Sequence, residues 1–186
     1  MLRWMIQKQL DAYAREFDYD VGYVREILDV SVQALMRLRA VVRMAHYRRG
    51  LPRSAWYSAK LTTSMAEDCG ACTQLVVTMA ERDGVPLALL RGILTADQRL
   101  MDEDAALGAD FARAVLMHDP QAGPLRERVL GRWGREGLLS LAFAVTTSRM
   151  FPTVKYALGH GQPCVSVRVG GQDTKPLMPS RGIGAT

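Results

Sequence analysis

Six residues of this 186-residue chain, Glu67-Asp68-Cys69-Gly70-Ala71-Cys72, combine reactive side chains at a spacing that can do chemistry. Two thiols three positions apart fall near one face of a helical turn, where they can close a disulfide and reopen it. An apolar helical stretch follows them, so the pair sits at a helix N-terminus. Backbone N–H groups there favour a thiolate and lower a thiol pKa. In such a pair one cysteine attacks as thiolate and the other resolves the sulfenic acid or mixed disulfide that results. Cys69 lies nearer the helix mouth and is expected to be the more exposed of the two. Two buried cysteines that merely pack against apolar neighbours would give the same sequence pattern. A structural zinc site needs two further ligands at suitable spacing, and Cys164, His46, His118 and His160 are all distant and unpaired. No metal site is therefore expected.

Glu67 and Asp68 flank the thiols and could serve as acid or base, or could cap the helix that follows. Gln74 and Tyr57 could orient a substrate or a water, or pack. His46 follows an arginine-rich segment and reads as a surface residue. His118 reads as a helix-end residue favoured by the C-terminal dipole, and Arg149 and Lys155 as a pair that could hold an anion.

The elements that must position these groups are helical. Apolar residues recur at Val21, Val24, Leu28, Leu35, Leu38 and Val42, which predicts one long helix from Asp20 to Tyr47, interrupted in its stripe by Ser31. A shorter helix is expected over Gln7–Glu16. Ser54–Ala66 reads as the helix entering the thiol motif. Asp68 is a candidate N-cap for the helix that continues to Asp83, with Cys72, Leu75, Val76, Met79 and Ala80 on its apolar face. Gly84 ends it, and Pro86 opens a short leucine-rich helix. Further helices are expected over Asp104–His118, Leu125–Trp133 and Arg135–Leu158, the last kinked or broken at Pro152. Val165–Val169 alternates like a strand but reads as an extended arm, and the residues from about Gly170 read as disordered.

Composition narrows the function classes. Three cysteines are too few for a secreted disulfide scaffold, and the chain is long enough to bury a core without staples. The N-terminal apolar stretch is too short for a signal-peptide core, and no segment is long enough to span a bilayer, so the chain reads as cytoplasmic. The net charge of +5 is modest but uneven. No acid occurs between Asp29 and Glu67, while Arg37, Arg39, Arg43, Arg48, Arg49, Arg53 and Lys60 all fall there. That run reads as a solvated helix face or a subunit contact rather than a nucleic-acid site.

The stretch from Ala66 to Val76, with the helix before it and the Gly84-Val85-Pro86 turn after it, resembles the alkylhydroperoxidase-D-like / carboxymuconolactone decarboxylase-like superfamily. A looser similarity runs from Ser54 to about Tyr156. The resemblance implies an all-α helical bundle that forms homo-oligomers and reduces hydroperoxides with a cysteine pair and no cofactor. It makes Cys72 the attacking cysteine and Cys69 the resolving one, the reverse of the order expected from position at the helix mouth. The chain departs from the family pattern at two places. Val76 stands where the peroxidases carry a relay histidine, and Trp56-Tyr57-Ser58 where they carry a glutamate. The expected organisation is an N-terminal helical extension over 1–50, the bundle core over 51–160 and an irregular C-terminal tail over 161–186. The expected function is thiol-dependent reduction of a peroxide or disulfide, with a dithiol small molecule or protein as electron donor. The alternative is a non-enzymatic helical assembly or redox-sensing module that has lost its proton relay.

Overall fold

The computed structural model describes residues 2–177. The chain is all-α: eight helices carry most of the described residues, and the only sheet among them is a two-stranded hairpin. The helices are α1 (Leu2–Phe17), α2 (Gly22–Val30), α3 (Val32–Ala45), α4 (Arg53–Ala66), α5 (Gly70–Arg82), α6 (Leu87–Thr95), α7 (Glu103–Leu116) and α8 (Ala122–Ala157). The hairpin pairs β1 (Val167–Val169) with β2 (Gln172–Thr174).

Helix α4 is the axis of the molecule. Every residue from Ala55 to Met65 is buried, so this helix has no solvent face. A helix enclosed on all sides must find most partners for its polar side chains internally, and here only the Trp56 indole N–H lacks one among the buried polar atoms described on this helix. The Ser58 hydroxyl donates to the Ala105 carbonyl at 2.7 Å, and those of Thr63 and Ser64 donate back along α4 to Ala59 and Leu61. Tyr57 donates to the Asp83 carboxylate at 2.8 Å. Against α4 pack α5, α6, α7 and α8, and Leu61 of α4 with Val77, Leu90, Leu94 and Leu141 of its neighbours forms the fully buried centre.

Helix α7 crosses α4 at a point where no side chain fits. A Cβ on Gly108 would strike the Ala55 backbone, with Ala55 Cα at 2.9 Å. Asp102 caps α7 by accepting from the Ala105 N–H at 2.6 Å.

Four expectations change. The predicted Asp20–Tyr47 helix is two helices, broken at Ser31, whose extended backbone and hydroxyl cap α3 by accepting from the Ala34 N–H. Serine competes with a continuous helix by bonding local backbone, and here that competition wins. The expected break at Pro152 does not occur, since α8 runs through it; its one non-helical residue is Gly134, with a left-handed φ of 66°, at the boundary expected between the Leu125–Trp133 and Arg135–Leu158 helices. The Val165–Val169 arm is half of a hairpin, because Gly170 and Gly171 both take positive φ and turn the chain back. Of the tail expected to be disordered from about Gly170, the stretch to Leu177 is ordered, with Gln172–Thr174 paired in the hairpin and the Leu177 N–H donating to the Leu94 carbonyl at 2.8 Å; residues 178–186 lie outside the described residues.

Helices α1 to α3 form a roof rather than part of the main core. Ile6, Leu28 and Leu35 make one small cluster, and Tyr19, Val21 and Tyr23 a second that touches Leu75 of α5 and Val154 of α8. The roof is held at its edges by polar contacts, Arg25 to Asp11 at 2.7 Å and Arg82 to Glu16 at 2.6 Å.

Gly108→Ala is expected to lower stability by about 1–3 kcal/mol, as overpacking of a close helix crossing does, with an unchanged helical spectrum at low temperature. Denaturant unfolding of the two proteins checks it.

Candidate functional site

The thiol motif opens α5 through an unusual backbone path. Asp68 takes a left-handed φ of 52°, which aspartate tolerates better than most residues. The turn brings Cys69, not the expected Asp68, to the N-cap position, and the Cys72 N–H is directed at Cys69 Sγ at 3.3 Å. Cys69 and Cys72 are joined in a disulfide, their Cα atoms 5.2 Å apart.

A segment from the C-terminal end of the chain crosses this helix start as a strap. The Gly70 N–H donates to the Gln162 carbonyl at 3.1 Å. The Asp68 carboxylate accepts from the Cys164 N–H at 2.9 Å, and the Asp68 carbonyl accepts from the Tyr156 hydroxyl at 2.8 Å. A Cβ on Gly70 would meet the Pro163 carbonyl oxygen at 2.8 Å, so glycine is what lets the strap lie flat. Gln74 fastens its far end, exchanging two hydrogen bonds with the Arg168 backbone. The third cysteine, Cys164, lies in the strap, and burial pushes its thiol pKa up, opposed by a hydrogen bond with Thr73.

The strap reverses the expected exposure. Cys69 is 0 % exposed, although it stands at the helix mouth. Cys72 is 7 % exposed, and that small surface belongs to a different space. It lines a cleft-like cavity of about 300 Å³ between the roof helices and the core. Ile6 and Leu10 of α1, Val24 of α2 and Leu38 of α3 line one side, and Cys72, Leu75 and Val76 of α5 the other. Gln9, Arg39, Val42 and His46 line it while also reaching solvent, so the mouth lies between α1 and α3.

One wall carries Lys60, which the sequence places with the surface arginines. It is 6 % exposed. Its Nζ donates to the Ala45 carbonyl at 3.0 Å and stands 4.1 Å from the centre of the Trp56 ring. Burial depresses its pKa to about 8. At the mouth, His46 is likewise pushed down, first by desolvation and then by the Lys60 charge. Three tyrosines line the α1–α2 end, and burial raises the pKa of each, that of Tyr13 to about 12. Ser148 of α8 is 7 % exposed, and its hydroxyl has no hydrogen-bond partner among the described residues.

The other sequence candidates are held elsewhere. Glu67 pairs with Arg149 at 2.9 Å, and Asp68 is occupied by the strap, so neither flanking acid is on the cavity wall. Lys155 is buried against the rings of Tyr19 and Tyr23, apart from Arg149. His160 bonds Glu26 at 2.7 Å, and Tyr57 is committed to Asp83. Among the described residues, no cluster of three or more His, Cys, Asp or Glu side chains is placed to hold a metal ion. No described helix is long and apolar enough to cross a membrane.

Sequence reasoning missed Lys60, Ser148 and the part played by His46. One signal was available for the lysine: it is the only charged residue between Arg53 and Glu67. A lone charge within a helix otherwise apolar or small is placed to be buried. No family model, no curated protein and no solved structure matches this chain.

Two outcomes follow. Gly70→Ala lifts the strap, so after reduction Cys69 is expected to react with a thiol alkylator at least tenfold faster than in wild type; mass mapping of the labelled peptide reads it. The Lys60 charge is disfavoured in the folded state, its pKa being about 8 against 10.5 for the free side chain. The sign is therefore that its penalty, about 3 kcal/mol, is fully present below pH 8 and is relieved as pH rises from 8 towards 10.5. Wild type is expected to gain stability relative to Lys60→Met across that window, measured as the difference between two denaturant series.

Proposed function

We propose that this protein is a dithiol oxidoreductase that reduces a peroxide, with Cys72 as the attacking sulfur and Cys69 as the resolving one. The observation that carries this reading is the asymmetry of the pair: Cys72 is reached from the cavity, and Cys69 is sealed beneath the strap.

In the reduced protein the Cys72 thiolate attacks the terminal oxygen of a hydroperoxide. The O–O bond breaks, the alcohol leaves with a proton, and Cys72 becomes a sulfenic acid. The Cys69 thiol then attacks the Cys72 sulfur, releasing water and forming the disulfide seen here. A dithiol donor supplies two electrons and two protons to reopen it, and is itself oxidised to a disulfide. In that reopening the donor attacks Cys72 and Cys69 leaves. The Cys72 N–H directed at Cys69 Sγ favours this order, since it stabilises the departing thiolate.

Val76 leaves no histidine at the position expected for a relay, but the cavity wall supplies two other groups that can move protons. Lys60 and His46 both have pKa values shifted towards neutrality or below by burial. A donor must enter by the mouth between α1 and α3, which suits a small dithiol or one on a flexible arm of a carrier protein. The cycle needs a reducing compartment, in keeping with a cytoplasmic protein, and the resemblance adds self-association.

The second reading is a redox-sensing or assembly module. It is favoured by the complete burial of Cys69, which slows any exchange at that sulfur. Reduced wild type, Cys69→Ser and Cys72→Ser treated with hydrogen peroxide separate the two. A sulfenic-acid label trapped on Cys72 in Cys69→Ser, with turnover lost at least 100-fold in Cys72→Ser, is the expected result. Label on neither cysteine, with both thiols still reduced, sinks the enzyme reading.

A further inference from the structure

The cavity has a chemical character that the redox cycle alone does not require. It is walled by aliphatic and aromatic side chains from five helices, with α4 adding Lys60 and Ser64, and no described aspartate or glutamate lines it. Its charged and polar groups are all cations, hydroxyls, amides or imidazole: Arg39 and His46 at the mouth, Lys60 within, and Ser148 on the α8 wall. Lys60 lies more than nine-tenths buried with one backbone carbonyl and one ring for company, and no described carboxylate is bonded to it. Buried ammonium groups ordinarily find an anion. Ser148, also more than nine-tenths buried, has a hydroxyl with no partner among the described residues. Buried hydroxyls ordinarily find an acceptor. Both groups therefore lack the same kind of partner, one that carries acceptor oxygens and negative charge.

The space is also the right kind for a small molecule. Its volume of about 300 Å³ falls at the lower end of ligand pockets, and a mostly apolar wall with a few convergent polar groups is their usual composition. Protein interiors otherwise keep few voids much larger than a water molecule.

We propose that the cavity is a binding site for an amphipathic monocarboxylate, an apolar chain with one acidic head. The chain lies between Ile6, Leu10, Val24 and Leu38 of the roof and Leu75 of α5, and the carboxylate is held by Lys60 with Ser148 as hydrogen-bond donor. Arg39 draws the acid to the mouth. The binding site stands without any redox activity. That the hydroperoxide of such an acid is the substrate rests on the peroxidase reading above, because Cys72 lies in the wall of the same cavity.

The test uses the full chain and lauric acid, which carries no peroxide, with dodecanol as the uncharged control of equal length. Titration calorimetry on oxidised wild type is expected to show one site for laurate, bound at least tenfold more tightly than dodecanol. Lys60→Met, verified as folded by circular dichroism, is expected to bring the two ligands to equal affinity. Ser148→Ala is expected to weaken laurate alone, and Val24→Trp, which fills the cavity, to abolish binding of both. Equal affinity of wild type for laurate and dodecanol overturns the acidic head. Failure of both to bind, or binding unchanged in Val24→Trp, overturns the site. Cys72→Ser keeps the two readings apart. Laurate binding retained while wild type reduces no peroxide refutes the peroxidase and leaves the binding site, and peroxide turnover without laurate binding does the reverse.

Discussion

The enclosure of α4 on every side is the constraint from which the rest of the structure follows. A helix with no solvent face must answer most of its polar side chains from within the protein, and this one carries Tyr57, Ser58, Lys60, Thr62, Thr63 and Ser64 in its buried span, with the Trp56 indole N–H left without a partner among the described residues. Each partner it recruits fixes a neighbouring element. The Ala105 carbonyl ties the start of α7 to Ser58, Asp83 ties the end of α5 to Tyr57, and the Ala45 carbonyl ties the end of α3 to Lys60. The close crossing at Gly108 completes the arrangement by letting two backbones approach without side chains between them. The core is in this sense organised by hydrogen-bond satisfaction as much as by apolar contact.

The same constraint shapes the thiol site. Because α4 ends at Ala66 and α5 must start almost at once on a different course, the link is a tight turn through Asp68 in a left-handed conformation. That turn presents backbone groups and a carboxylate to a passing chain, and the strap around Cys164 takes them. A cysteine pair that local rules place at an open helix mouth is thereby enclosed by residues about ninety positions further on. Access to the sulfurs passes instead to the cavity beneath the roof.

This division explains what could be read from the sequence. Periodicity and punctuation gave the all-α class and most helices, since Gly84, Pro86 and the i, i+3, i+4 stripes act locally. The Ser31 break was visible as an interrupted stripe, though its strength as a cap was not. The site was legible only as far as its chemistry is local: the two cysteines share one turn. The relative burial of those cysteines depends on the strap, and the cavity depends on six helices meeting, so neither has a signature in any short window. Lys60 illustrates the limit. Reckoned among the charges along the chain, it belonged with the arginines; only the packing of α3 over α4 shows that it stands alone.

The roof has a further consequence, in the mechanical properties of the protein. Native proteins contain little empty volume, and the volume lost on unfolding scales with what voids they do hold. Where a space of about 300 Å³ between α1–α3 and the core is walled by apolar side chains that leave it dry, the folded state is the bulkier one along this seam. Hydrostatic pressure therefore acts first on the roof, and the enclosed core around α4 yields later. An occupant that fills the space removes the volume difference and with it the softness of the seam, so that compressibility itself reports whether the cavity is filled.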